Sequence, residues 1–227
     1  MPELPEVETM RRGIEPHILK RTIVEVEYRR ATLRYPLPLE LKKLRGAKIE
    51  RVERRAKYLL IITNRGQILI HLGMSGVLHI LQSDYIPRKH DHVIIRLEGG
   101  LALFYNDPRR FGFIKFYPLA VEPKEFHHLA PEPLSEDFNS DYLYRVLSSR
   151  RRAIKGALME QALVVGVGNI YANEVLFSVG IHPERTAMSL TQKEVSKLVA
   201  AIKKILRQAI EQGGTTLKDF TNPEGQP

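Results

Sequence analysis

Past a short amino-terminal helical stretch, the hydrophobic period of this chain changes once, near Leu119, and that change constrains the fold more than any other feature. Before it, apolar residues alternate in short runs. Residues 22–28 set Val24, Val26 and Tyr28 on one side and Glu25 and Glu27 on the other. Runs at 58–63 and 67–72 flank a turn at Asn64-Arg65-Gly66, and runs at 92–97 and 101–105 flank Gly99-Gly100, so each pair reads as a hairpin. A further strand is predicted at 112–117, and a helix at 5–15 with Val7, Met10 and Ile14 on one face. Many short strands with turn signals predict a β-sandwich or barrel, not a doubly wound α/β sheet. Past a linker around Pro131-Glu132-Pro133 the spacing becomes helical. Tyr142, Leu143, Val146 and Leu147 fit one helix, Ile154, Leu158 and Leu163 another, and residues 170–179 and 191–212 two more, the last with Val195, Leu198, Ile202 and Ile205 on one face. The chain therefore reads as α+β, with a β domain at 1–130, a helical domain at 131–220 and a turn-rich tail at 221–227.

Charge narrows the partner. The 227 residues hold 35 Lys and Arg against 26 Asp and Glu, a formal charge of +9. Such a surplus suits a polyanion, and nucleic acid fits better than a membrane. No apolar run approaches the roughly 20 residues of a membrane span. The acidic N-terminus does not suit a secretory signal, so the expected location is the cytoplasm. The chain contains no cysteine, which excludes disulfides, iron–sulfur clusters and cysteine-ligated zinc within it.

The N-terminus carries the sharpest chemistry. In Met1-Pro2-Glu3-Leu4-Pro5-Glu6, removal of Met1 leaves Pro2 with a free secondary amine. An α-amino group titrates near roughly 7.7–8.0, far below a lysine, and its free base attacks electrophilic carbon to form an iminium. Glu3 lies beside it and Glu6 one helical turn on, placed to move protons and steady a cation. Retention of Met1 would block this amine. The plainer reading is a helix start, with Pro5 and the glutamates suited to the helix dipole.

Other motifs point to nucleic acid. Gly166-Val167-Gly168-Asn169 precedes a helix, where amides can bind phosphate and Asn169 can cap. Arg150-Arg151-Arg152 and Lys155 lie just before it; a charge run is more often a solvated face. Asp107-Pro108-Arg109-Arg110-Phe111-Gly112 follows a strand and offers an arginine and an aromatic for insertion into a base stack, or a Phe111 folded into the core. Met74, between glycines in His71-Leu72-Gly73-Met74-Ser75-Gly76, suits a second exposed tip or a core filler. Lys57 in Arg54-Arg55-Ala56-Lys57-Tyr58 suits a phosphate clamp or a catalytic amine. His90-Asp91-His92 alternates as metal ligands do, but nothing else in the chain offers an obvious third ligand. A phosphate contact or a hydrogen-bonded pair fits it better, and no metal site is assigned.

Taken in order, MPELPEVET, RRAKYLL, HLGMSG, KHDHV, DPRRFG, LVVGVGNIYANE and EQGGTTLKDF resemble the formamidopyrimidine-DNA glycosylase family over essentially the whole chain. The resemblance implies a two-layer β-sandwich with flanking helices, then a helix-two-turns-helix DNA-binding domain. It implies excision of oxidised purines (8-oxoguanine and formamidopyrimidines) from double-stranded DNA, followed by β,δ-elimination at the abasic site, by a monomer. Pro2 matches the nucleophile, Glu3 the acid/base residue that opens the sugar, and Lys57 a lysine that aids processing. His90, Arg109, Arg150 and Asn169 match DNA contacts. Met74, Arg109 and Phe111 match residues that fill the gap left by the extruded base. Glu6, Lys155 and Glu174 match residues near the lesion pocket. The family also carries a structural Zn2+ on four cysteines, which would lie beyond residue 227. The tail ends mid-segment and reads as truncated ahead of that finger, with a natural finger-less protein as the other explanation. Two alternatives accompany the main reading: a non-catalytic damage-binding fragment, and an endonuclease VIII-type enzyme for oxidised pyrimidines. Leu4 and the Met74, Arg109, Phe111 set argue against the latter.

Overall fold

The computed structural model describes residues 1–213; the tail at 221–227 and most of EQGGTTLKDF lie outside the described residues. The chain divides into two compact units. Among the described residues, Met1–Pro2 and Val7–Pro123 form the first, and Glu3–Glu6 group with residues 124–213.

The first unit is built on two antiparallel four-stranded sheets. Its strands are β1 (Ile23–Tyr28), β2 (Ile49–Arg55), β3 (Tyr58–Thr63), β4 (Gly66–His71), β5 (Val77–Gln82), β6 (Asp91–Leu97), β7 (Leu101–Asn106) and β8 (Phe113–Tyr117). One sheet runs β1-β6-β7-β5 and the other β2-β3-β4-β8. Val26, Val93, Ile95 and Leu103 of the first and Val52, Ile61, Ile68 and Ile114 of the second bury into one core, so of the sandwich and the barrel left open by the alternation the chain forms the two-layer sandwich that the resemblance implies. Both hairpins form, with Thr63 opposite Gly66 in one and β6 paired to β7 in the other.

Several expectations shift. Val24 is 46% exposed while Ile23 and Val26 are buried, because a register shift between Ile23 and Glu25 turns it outward. Strands β2 and β5 were not legible, since both mix charge or polar residues into one exposed face. Helix α1 (Leu4–Ile18) runs through Pro16 to a buried Ile18 rather than stopping at residue 15.

The second unit holds α2 (Ser140–Leu147), α3 (Ile154–Leu158), α4 (Asn169–Val179) and α5 (Gln192–Glu211). Leu163 is buried but sits in the turns after α3, not in the helix. The α3-turns-α4 stretch is the helix-two-turns-helix. Gly180, at φ 68°, ends α4, and the Ile181 N–H reaches back to the Leu176 carbonyl at 3.0 Å. Helix α5 packs Val195, Leu198, Ile202 and Leu206 inward. It starts on a capping box in which the Thr191 side chain accepts the Glu194 N–H and the Glu194 carboxylate accepts the Thr191 N–H at 2.8 Å. Among the described residues, no helix is long and apolar enough to cross a membrane.

The hydrogen-bonding Arg185 guanidinium, then the Thr191 N–H and hydroxyl, pull the Glu194 carboxyl down to about 2. A carboxyl lowered on folding stabilises above its unfolded value and loses that contribution as pH falls toward its folded one. The Tm gap between the natural chain and Glu194→Gln should therefore be widest near pH 6 and close as the pH is lowered toward 2. A gap constant across that range in thermal melts would refute the pairing.

Candidate active site

Helix α4 begins without the side chain that usually closes a helix start. Its N-cap is Gly168, which offers no side-chain acceptor to the free amides of the first turn. The acceptor is Glu3. Its Oε2 accepts the N–H of Gly168 at 2.6 Å and of Tyr171 at 3.4 Å, and its Oε1 accepts that of Ile170 at 2.8 Å. Negative charge is favoured at a helix N-terminus, so the dipole and the amides act in the same sense. Asn169 is exposed as the first residue of α4 and does not cap it, contrary to expectation. The turn is likewise not an open phosphate nest, because these three amides are already taken by a carboxylate.

The same end of the chain is fixed from three more directions. The Leu4 N–H donates to the Gly166 carbonyl at 3.0 Å. The Glu3 N–H donates to Glu6 Oε2 at 2.8 Å, and the Tyr171 hydroxyl donates to Glu6 Oε1 at 2.7 Å. Glu3 and Glu6 are 2% and 3% exposed. Gly166 has φ +79°, and a Cβ there would come within 2.5 Å of the Leu4 side chain. Only glycine lets the turn approach this closely. Arg150 is half-buried, its Nε without a hydrogen-bond partner among the described residues. Lys155 lies half-buried in α3, and Glu174 is exposed on α4.

In the sandwich unit, Asp107 ties two loops together. It is fully buried; Oδ1 accepts from the Ser75 hydroxyl at 2.6 Å, while Oδ2 accepts the Gly112 N–H at 2.9 Å and the Tyr105 hydroxyl at 3.1 Å. Burial, then the Asp107 charge and hydrogen bond, pushes the Tyr105 hydroxyl well above its usual range, so it stays a donor. The Arg109 N–H donates to the Ser75 hydroxyl at 3.1 Å, and the Asp107 N–H to the His90 carbonyl at 3.0 Å. A Cβ on Gly73 would sit 2.3 Å from the Gly112 nitrogen, so the loops touch backbone to backbone. This fixes Met74, Arg109, Phe111 and His90 on neighbouring loops. Met74 and Phe111 are 42% and 46% exposed, and the Arg109 guanidinium lies 4.9 Å from the Phe111 ring centre. Both apolar tips point outward rather than into the core. Asp91 is structural, accepting from Arg88 N–H at 2.6 Å and Asn106 at 2.8 Å, and His92 bonds the Asp107 carbonyl at 2.9 Å. Among the described residues, no three His, Cys, Asp or Glu gather as metal ligands.

Lys57 is buried in the turn between β2 and β3. Ala56, beside it, takes a left-handed φ of 52°, and its carbonyl accepts from Arg54 at 2.9 Å. Arg54 also pairs with Glu8 of α1 at 3.2 Å. Burial raises the Glu8 carboxyl, but hydrogen bonds from Arg11 and Arg12 and the charges of Arg11 and Arg54 outweigh it, leaving the carboxyl below its usual range. An ionised Glu8 therefore anchors the Lys57 turn. His71, at the end of β4, stacks on Phe113 at 5.2 Å and accepts the Gly73 N–H on Nδ1 at 3.1 Å. Burial first, then the charges of Lys57 and Arg34, lowers His71 to about 4, so it is neutral at pH 7.

Residues 1–114 match the model of the formamidopyrimidine-DNA glycosylase N-terminal domain, and residues 129–221 that of the formamidopyrimidine-DNA glycosylase H2TH domain. The chain belongs to the formamidopyrimidine-DNA glycosylase family. It is 50% identical to the formamidopyrimidine-DNA glycosylase of Photobacterium profundum, with all of this chain aligned to 84% of that protein. The enzyme of Escherichia coli O1:K1 is 51% identical over the same shares. Among solved structures, the chain resembles a Lactococcus lactis FPG mutant in complex with Fapy-dG containing DNA (TM-score 0.91, 34% identity, 97% of this chain and 83% of that one). It also resembles the Lactococcus lactis glycosylase non-covalently bound to DNA containing an AP site (TM-score 0.88, 35% identity, 94% and 83%).

Membership of the formamidopyrimidine-DNA glycosylase family makes the chain a DNA glycosylase. Sequence reading missed Tyr171, His71 and Asp107. All three stood inside motifs already singled out, but a tyrosine in a helical run reads as core, an aspartate before proline reads as a turn, and a histidine at a strand end carries no sign of its role.

Two measurements check this geometry. Asp107→Ala leaves three donors, two of them buried, without their acceptor and should cost about 3–5 kcal/mol in urea unfolding, against about 1 kcal/mol for Tyr105→Phe. Equal losses would remove Asp107 from the centre of the loops. Separately, an NMR titration should find His71 neutral until about pH 4, with its pKa rising in Lys57→Ala. A midpoint near the unperturbed value of roughly 6.5 would contradict the burial and charge assigned to it.

Proposed function

We propose that this chain excises oxidised purines (8-oxoguanine and formamidopyrimidines) from duplex DNA and then cleaves the strand as an abasic-site lyase. The observation that carries this is the buried Glu3 carboxylate, bonded to Pro2 through the chain and immobilised by the amides of α4. Its support is the family itself, some of whose structures are named as complexes with Fapy-dG and AP-site DNA.

In this reading Met1 is removed and the Pro2 nitrogen lone pair attacks the anomeric carbon. The glycosidic bond breaks, and the base leaves with its electron pair and takes up a proton. The Glu3 carboxylate takes the proton that the Pro2 nitrogen loses after attack and delivers it to the ring oxygen as the bond from the anomeric carbon to that oxygen breaks, so the freed nitrogen lone pair makes the iminium. The iminium acidifies the adjacent carbon, so loss of that proton expels the 3′ phosphate; a second elimination expels the 5′ phosphate, and hydrolysis frees Pro2. Lys57 contacts phosphate and aids processing. Glu6, Lys155 and Glu174 lie around the lesion pocket.

Met74, Phe111 and Arg109 fill the space the base leaves, offsetting a flipping cost of a few kcal/mol. Arg109 also faces the orphaned cytosine. His90, Arg150 and Asn169 contact phosphates; with the Gly168, Ile170 and Tyr171 amides occupied, Asn169 acts through its exposed carboxamide. The enzyme acts as a cytoplasmic, nucleoid-associated monomer.

Borohydride trapping on a duplex with 8-oxoguanine opposite cytosine tests the reading. A Met1-processed protein should form a covalent adduct that mass spectrometry maps to Pro2. An adduct on Lys57, or none on the oxidised purine but one on an oxidised pyrimidine, would overturn the mechanism or the substrate class respectively.

A further inference from the structure

Tyr171 sits one turn into α4 and is 2% exposed. Its ring packs in the helical core with Leu163, Val175 and Leu198. Its polar atoms, however, both meet the acids of the amino-terminal segment. The hydroxyl donates to Glu6 Oε1 at 2.7 Å and the backbone N–H to Glu3 Oε2 at 3.4 Å. Glu6 in turn accepts the N–H of Glu3 on its other oxygen at 2.8 Å.

This last bond has a specific consequence. The Glu3 N–H belongs to the peptide that joins Pro2 to Glu3. A peptide is planar, so holding that N–H fixes the plane on which the Pro2 Cα is mounted. A free glutamate samples several rotamers; one oxygen pinned by a tyrosine hydroxyl does not. The hydroxyl thus sets Glu6, Glu6 sets the peptide, and the peptide sets the Cα of the proline that precedes it, leaving the proline nitrogen a single backbone torsion to turn about.

We propose that the Tyr171 hydroxyl is a positioning group for the reaction, orienting the Pro2–Glu3 peptide through Glu6 while its ring serves the core. The proposal rests on Pro2 acting as the nucleophile. It assigns Tyr171 no contact with DNA. Misplacing a nucleophile by a fraction of an ångström slows attack without weakening binding, because ground-state contacts to phosphate are unchanged.

Tyr171→Phe keeps the ring and deletes only the hydroxyl. In the full chain, single-turnover excision of 8-oxoguanine and cleavage at a preformed abasic site should both slow about tenfold, the equivalent of one lost hydrogen bond in the transition state. Duplex Kd should stay within about twofold. In a Glu6→Ala background the route from the hydroxyl to the Pro2–Glu3 peptide is cut, so adding Tyr171→Phe should slow the reaction no further. Single-turnover rates within twofold of the natural chain, a loss seen in Kd instead of rate, or an additive double variant would each overturn the proposal. A natural chain that traps no adduct at all would overturn the reading of Pro2 itself, and this inference with it.

Discussion

A buried carboxylate and the amides of a helix start hold the amino-terminal segment in place. Glu3 has the sequence position of an N-cap for α1, and Glu6, three residues on, reaches back to its N–H as a capping glutamate does. The Glu3 side chain does not complete that box. It caps α4 instead, taking the N–H groups of Gly168, Ile170 and Tyr171. An acid that would otherwise stabilise its own helix is thereby spent on fixing the residue next to Pro2. Removing it would strand three amides at one helix start, so position 3 is under structural demand as well as chemical demand.

The sandwich unit solves a related problem with Asp107. Here the requirement is to hold two exposed loop tips still while their apolar side chains face outward. Exposed Met74 and Phe111 gain nothing from burial, so their placement must come from the backbones behind them. Asp107 supplies it by accepting from Ser75, Gly112 and Tyr105 at once. Gly73 and Gly112 supply the close approach that any side chain would prevent. Rigid loops make an inserted side chain effective, since little conformational entropy remains to be lost when a duplex is engaged.

Much of this was legible in the residues alone. The switch from alternation to helical spacing placed the sandwich before the helices, and both Gly-turn hairpins formed where Asn64-Arg65-Gly66 and Gly99-Gly100 stood. Strand β2 escaped because Arg51, Glu53, Arg54 and Arg55 make it look like a solvated charge run, though Ile49 and Val52 are buried. Val24 was turned the wrong way because a bulge breaks the period of two, and no local composition announces it. Leu163 kept helical spacing with Leu158 by chance of burial, while the intervening turns carry no helix. The outward direction of Met74 and Phe111 was open on sequence grounds, since an apolar residue between small neighbours serves core and tip alike.

The contact between Glu3 and α4 was the hardest to foresee, because no local pattern links residues so far apart in the chain. A signal was present all the same. A helix preceded by Gly-x-Gly, with no Ser, Thr, Asp or Asn at the N-cap, leaves its first amides without a side-chain acceptor. In a sequence where Val164, Val165 and Val167 surround that turn, water is excluded from it. Buried amides must find a partner, so the acceptor has to be an anion or carbonyl supplied from elsewhere. A bound phosphate answers that demand as well as a carboxylate does, and this is why the turn reads as a phosphate site. What separates the two answers is burial: Gly166, Val167 and Gly168 lie inside the fold, out of reach of a duplex, whereas Asn169 is exposed. A glycine turn whose apolar neighbours bury it points to an acid from the same chain, and an acidic residue beside an N-terminal proline is a ready source of one.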